Sequence, residues 1–143
     1  MPEIANLTGL SFHHFGLAAR DPARAAAFLR ALGYEVGALV RDRLQGVDLA
    51  LSTHASMPSV EIVAPLGEGG PLASWLRKEA EMLYHVCFEV ADRDGALGAM
   101  ALAGSRVLTV SPPTPAVLFA GRLVSFHRVS GFGLVELLDA RAP

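Results

Sequence analysis

Apolar and polar positions along the chain fall into one order of elements that is met twice. FHHFGLAA, residues 12–19, is apolar for most of its length, as in a strand covered on both faces. DPARAAAFLRALG follows, with Asp21 as the predicted N-cap, Pro22 at the first helical position and Gly33 as the stop. YEVGALVRD, QGVDLALST and SVEIVAP then read as three short strands separated by polar or turn residues. The order returns further on as LYHVCFEV, the helical DRDGALGAMALAG, and the strands SRVLTV, LVSFHRV and FGLVELLD. Overlaying the two halves sets His14 on His85, Asp21 on Asp92, Gly33 on Gly104 and Val36 on Val107, all at one offset of 71 positions. Beyond a small change in loop length, Gly46 meets Gly121 and Val60-Glu61 meets Val135-Glu136 at an offset of 75. The chain reads as a tandem duplication of a strand-helix-strand-strand-strand unit.

Module one spans about 11–64 and module two about 82–139, within one predicted domain over 1–143. Between them, 65–81 holds a Gly-rich turn and a short amphipathic helix predicted from about Pro71 to Glu79, with Leu72, Trp75 and Leu76 packing it onto the body. SPPTPAVLFAG, 111–121, carries three prolines and reads as an irregular stretch, either a stiff surface connection or a lid.

Composition narrows the function classes. Twelve basic and fourteen acidic residues give a net charge of −2 with no basic cluster, which argues against nucleic acid as a partner. No run approaches the roughly 20 apolar residues needed to span a bilayer, and MPEIANLTGL lacks the pattern of a signal peptide. The single Cys87 excludes an intrachain disulfide and fits a reducing cytoplasm.

The positions that invite a chemical reading are a histidine early in each module and a glutamate in its last strand. Singly, such a histidine is most often a hydrogen-bonded core residue, and a glutamate in a strand most often faces solvent. Together they differ from that background. Glu61 and Glu136 sit among apolar neighbours, where a carboxylate needs a counter-charge, a metal or a proton to offset its desolvation. Two histidines and two glutamates related by duplication can converge on a pseudo-two-fold axis. Such an N2O2 set suits Co, Ni, Mn, Zn or Fe and leaves room for substrate oxygens. Adjacent residues on a regular strand face opposite ways, so only one of His13 and His14 lines such a site. His14 has a partner in His85, whereas His13 overlays Tyr84 and is expected on the other face, partly exposed.

HHFGLAARDPARAAAFLRALGYEV, the fourfold pattern of His14, Glu61, His85 and Glu136, and the paired modules resemble the vicinal oxygen chelate superfamily, which includes glyoxalase I, methylmalonyl-CoA epimerase, fosfomycin-resistance enzymes and extradiol dioxygenases. VEIVAPLGEGGPLASWL, LYHVCFEVAD and GRLVSFHRVSGFGLVELLD look most like the methylmalonyl-CoA epimerase branch. The resemblance implies an α+β fold: two tandem βαβββ modules forming an open, cupped barrel, helices outside and one divalent metal on the concave side. It implies His14, Glu61, His85 and Glu136 as ligands and an isomerase that abstracts a proton next to a thioester or carbonyl, with an acyl-CoA as substrate. A glyoxalase-I-like lyase and a non-catalytic small-molecule-binding protein are the alternatives. Homodimers are common in the superfamily, and a homodimer is expected.

Some epimerases place an acidic residue in the third strand of module one, where ungapped overlay sets Leu49. Adjacent Asp48 points the opposite way unless a bulge shifts the register. Glu136, and after it Glu61, is then expected to serve as both ligand and base. Among the remaining candidates, His127 has no histidine counterpart in the repeat and reads first as a surface or core residue, but it is a possible substrate contact, as are Leu49 and Arg122. Arg41, Arg43, Arg77 and Lys78 are further cations available to a coenzyme A phosphate. Cys87 reads as a small buried filler and His54 as a solvated turn residue.

Overall fold

In the computed structural model, which describes residues 5–141, the elements are β1 (Ser11–Ala19), α1 (Pro22–Ala31), β2 (Glu35–Val36), β3 (Val40–Asp42), β4 (Val47–Thr53), β5 (Val60–Pro65), α2 (Pro71–Trp75), β6 (Glu81–Val90), α3 (Arg93–Leu102), β7 (Val107–Pro115), β8 (Leu123–Val129) and β9 (Gly133–Asp139), with a 3-10 turn at Val117–Phe119 between β7 and β8. The strands form one nine-stranded sheet in the order β2-β4-β5-β1-β6-β9-β8-β7, with β3 paired alongside β4. β2 and β7 do not pair with each other, so the sheet curls without closing, an α+β cup.

The duplication is visible in the local chemistry. Asp21 caps α1 by accepting from the Arg24 N–H, and Asp92 caps α3 by accepting from the Gly95 N–H at 3.0 Å. Gly33 and Gly104 both take positive φ just past the helix ends, a conformation that glycine adopts at little cost. The halves join where β1 and β6 run antiparallel, while β1 pairs β5 and β6 pairs β9 in parallel. This pairing brings the first and last strands of both modules to the centre of the sheet.

Alternation along the strands separates the faces. Val60 and Ile62 pack with Ala26 and Leu29 of α1, and Val135 and Leu137 pack with Ala96 of α3, so both helices cover the outer face. Glu61 and Glu136, between those residues, face the cup. A second apolar layer lines the cup: Val47, Leu49 and Val63 on one side, and Cys87, Ala116, Phe119, Val124 and Leu138 on the other.

Three expectations change. The predicted strand YEVGALVRD is split into β2 and β3, both on β4. The predicted 71–79 helix ends at Trp75 with Leu76 as its cap; Ala73 and Leu76 are the buried residues, and Trp75 is 39% exposed. The proline stretch is not irregular throughout, because β7 continues through Pro115. An edge strand donates ladder hydrogen bonds to one side only, which makes Pro112 and Pro113 tolerable, and β7 meets β8 with register shifts around Ser111.

Candidate active site

His14, Glu61, His85 and Glu136 come from four adjacent central strands, and their donor atoms all lie within 4.8 Å of one another. His14 Nε2 is 3.2 Å from Glu136 Oε1 and 3.7 Å from Glu61 Oε2; His85 Nε2 is 3.3 Å from Glu136 Oε1 and 3.4 Å from His14 Nε2. None of the four residues is more than 4% exposed. Four buried titratable groups aimed at one point carry a desolvation cost that mutual pairing offsets only in part.

The electrostatics are uneven. Burial, then the nearby Glu136 carboxylate, pushes Glu61 up to about 8. Burial acts the same way on Glu136, but the His14 and His85 imidazoles close beside it outweigh it and hold that carboxyl down to about 2. Glu136 Oε1 nonetheless has no partner in hydrogen-bond geometry, nor has His85 Nδ1. An under-satisfied buried carboxylate oxygen beside two imidazole nitrogens and a second carboxylate is a donor set that fits a borderline divalent cation.

Neighbouring residues complete the site. Gly16 pairs with His85 across the β1–β6 ladder, and a β-carbon at Gly16 would overlap the His85 ring. Its repeat counterpart Cys87 stands opposite His14 as a fully buried filler, its thiol pushed up by burial first and by Glu136 next. Phe119 stacks on the His14 ring at 5.7 Å and 21°, and Phe126 meets the His85 ring edge-on at 5.4 Å. Neither aromatic is marked in the repeat. The one local signal of Gly16 is a glycine inside an apolar strand, which indicates close approach.

The expected split of the histidine pair does not hold. The β1–β6 ladder shifts register between Phe12 and His14, so His13 sits in a bulge instead of on the opposite face. Its ring lies beside His14, Nδ1 to Nδ1 at 2.8 Å, and edge-on to Phe119. A second shift, between Gly16 and Leu17, does the same for Tyr84, whose ring is 4.5 Å from that of His85. Burial, then Glu61 and Glu136, raises the Tyr84 hydroxyl well above the ordinary range. His13, His14 and Cys87 also bring donor atoms within 4.8 Å, but a thiol held protonated is a poor ligand.

Leu49 faces the cup in the cluster with Val63 and Tyr84, so no acid stands there. No bulge interrupts β4, and Asp48 faces away, paired with Arg41 at 3.1 Å. Asp42 is a buried carboxylate in register with Val47 on the cup side, where it accepts from the Gln45 backbone N–H and side-chain amide.

Two weaker candidates are displaced from the role. His127 lies on the outer face beneath α3, because Phe126 takes the inward position on β8. Arg93 can only donate, so Ser125 Oγ accepts from Arg93 Nε at 2.9 Å and donates to His127 Nε2 at 2.8 Å. His127 Nδ1 then donates to Thr109 Oγ1 at 3.0 Å, and the imidazole is fully engaged away from the cup. Arg122 is likewise committed, to Glu89 and the Asp139 carbonyl. An exposed cation near the site is Arg128, which lines a groove of about 520 Å³ beside His85 with Trp75, Tyr84, Phe132 and Leu134. His54 bonds to Leu32 O and the Met57 N–H in its turn.

Comparison with known proteins identifies the family. The family model described as glyoxalase/bleomycin resistance protein/dioxygenase superfamily matches residues 13–126. The chain is 37% identical over 103 residues to the ethylmalonyl-CoA/methylmalonyl-CoA epimerase of Cereibacter sphaeroides, covering 71% of this chain and 76% of that protein. The crystal structure of methylmalonyl-CoA epimerase from Mycobacterium tuberculosis superposes with a TM-score of 0.75 at 22% identity, over 99% of this chain and 94% of that one. A variant of the Streptomyces coelicolor methylmalonyl-CoA epimerase, in complex with 2-nitronate-propionyl-CoA, gives a TM-score of 0.70 at 26% identity, over 92% and 97%. By fold, family model and sequence, this chain belongs to the glyoxalase/bleomycin resistance protein/dioxygenase superfamily, and the three relatives described here are methylmalonyl-CoA epimerases.

Proposed function

We propose that this protein is a divalent-metal-dependent epimerase of an acyl-CoA thioester, held to its task by His14, Glu61, His85 and Glu136. The observation that carries the reading is the convergence of these four buried side chains within 4.8 Å, with a carboxylate oxygen of Glu136 under-satisfied among them. The substrate class is supported by the 37% identical epimerase and by a structural relative bound to an acyl-CoA analogue. A divalent cation in that N2O2 set would supply Lewis-acid stabilisation of negative charge on a carbonyl oxygen.

The chain's own residues move the proton. The bond that breaks is the one between the α-carbon and its hydrogen; the electron pair passes toward the thioester carbonyl and the proton goes to a carboxylate. Leu49 cannot take it, and Asp48 faces away. Of the two carboxylates at the centre, Glu136 is drawn toward both imidazoles, whereas Glu61 approaches only His14, and only to 3.7 Å. Glu61 is therefore the freer to swing toward substrate. This reverses the preference for Glu136 drawn from sequence. Reprotonation from the opposite face by a proton from solvent inverts the centre, since Glu136 is held ionised, and Glu61 returns the proton it took to solvent. The groove beside His85, with Arg128 at its rim, accommodates the acyl portion.

The test is exchange of the α-proton of methylmalonyl-CoA with deuterated water, followed by NMR with cobalt-loaded protein. Deuterium incorporation with inversion is expected. Absence of exchange across a panel of branched acyl-CoAs, together with isomerisation of a glutathione hemithioacetal, would contradict the epimerase and favour a lyase.

A further inference from the structure

The bulge in β1 gives His14 a partner that His85 lacks. His13 Nδ1 lies 2.8 Å from His14 Nδ1, a hydrogen-bond distance, and His14 is 0% exposed. Phe119 fixes both rings, stacked on one and edge-on to the other at 5.3 Å. His85 Nδ1, by contrast, is buried without any partner, and the residue matching His13 beside it is Tyr84. One nitrogen of the His13–His14 pair must donate and the other accept. The far nitrogen of His14 points at Glu61, Glu136 and His85, where a lone pair is needed if the site binds a cation. The proton therefore belongs on His14 Nδ1.

We propose that His13 is a positioning residue: its Nδ1 accepts the His14 Nδ1–H, sets the tautomer and ring angle of His14, and directs Nε2 into the four-donor site. Both the tautomer and the metal-affinity parts rest on the reading of the site given above, because that reading is what places the lone pair on His14 Nε2. Outer hydrogen-bond partners of ligating histidines commonly contribute about 10–100-fold to metal affinity. A bulged neighbour is an economical source of such a partner, because it adds one residue on the same face of the strand.

Two measurements test this. In the metal-free protein, long-range proton–nitrogen NMR is expected to find a proton on His14 Nδ1 in the wild type, and in His13→Phe a shift to the tautomer protonated at Nε2 alone, where Glu136 accepts. Cobalt affinity is expected to fall about 10–100-fold in His13→Phe, which keeps a ring against Phe119, and to be largely restored in His13→Gln, which keeps an acceptor. An unprotonated His14 Nδ1 in the wild type, or a His13→Gln protein as impaired as His13→Phe, would overturn the proposal. If the wild type takes up no cobalt, the metal reading falls, and the nitrogen measurement still decides the role of His13.

Discussion

Gly16 lies opposite His85 in the central ladder, and the imidazole occupies the space where a β-carbon would stand. The ladder that joins the two halves thus also seats a site residue of one half on the backbone of the other. Replacing Gly16 by alanine is expected to push the His85 ring out of place. Overpacking at a buried position costs about 1–3 kcal/mol of stability, and misplacing a reacting group by about 1 Å can cost about 100-fold in rate. Gly16→Ala should therefore remain folded by circular dichroism, bind cobalt more weakly, and lose about 100-fold in exchange rate. Unchanged cobalt affinity would show that His85 has no stake in the site.

The buried acid pair makes a prediction about pH. Glu61 is raised in the fold from an ordinary 4.5 to about 8, so folding favours its protonated form. As pH rises through that window the unfolded chain has already released the proton that the folded chain retains, and stability falls. Glu136 is lowered to about 2 in the fold, and its contribution is lost only as the solution becomes strongly acidic. Metal-free protein is thus expected to melt at a lower temperature at about pH 8 than at about pH 6. Cobalt should flatten the slope, because a bound cation makes ionised Glu61 the favoured state. A melting temperature that climbs between those two values without metal would contradict the raised carboxylate.

The duplication was legible because both halves keep the same capping aspartates, stop glycines and ligand-type residues. The offset that joins His14 to His85 also joins Asp21 to Asp92, and those caps begin the helices on the outer face. Convergence of the four donors followed from placing first and last strands at the centre of one sheet. What alternation alone could not reveal were the two bulges. A strict period of two sends His13 and Tyr84 away from the cup, and a single extra residue in the ladder returns each to its neighbour's side. The place of His127 was not legible for a related reason. Its face depends on the register of β8 against β9, where Phe126 meets Glu136 and His127 meets Val135. The extension of β7 through its prolines depends on edge position, a property of the assembled sheet and not of the local sequence.

The central claim is that His14, Glu61, His85 and Glu136 hold one divalent cation. Titration of metal-free protein with cobalt, followed by calorimetry and visible absorption, tests it most directly. The expected result is one ion bound per chain, with binding abolished in His85→Ala and in Glu136→Ala while both variants keep the wild-type circular dichroism spectrum. A wild-type protein that binds no cobalt, or folded His85→Ala and Glu136→Ala proteins that bind it as tightly as the wild type, would contradict the account.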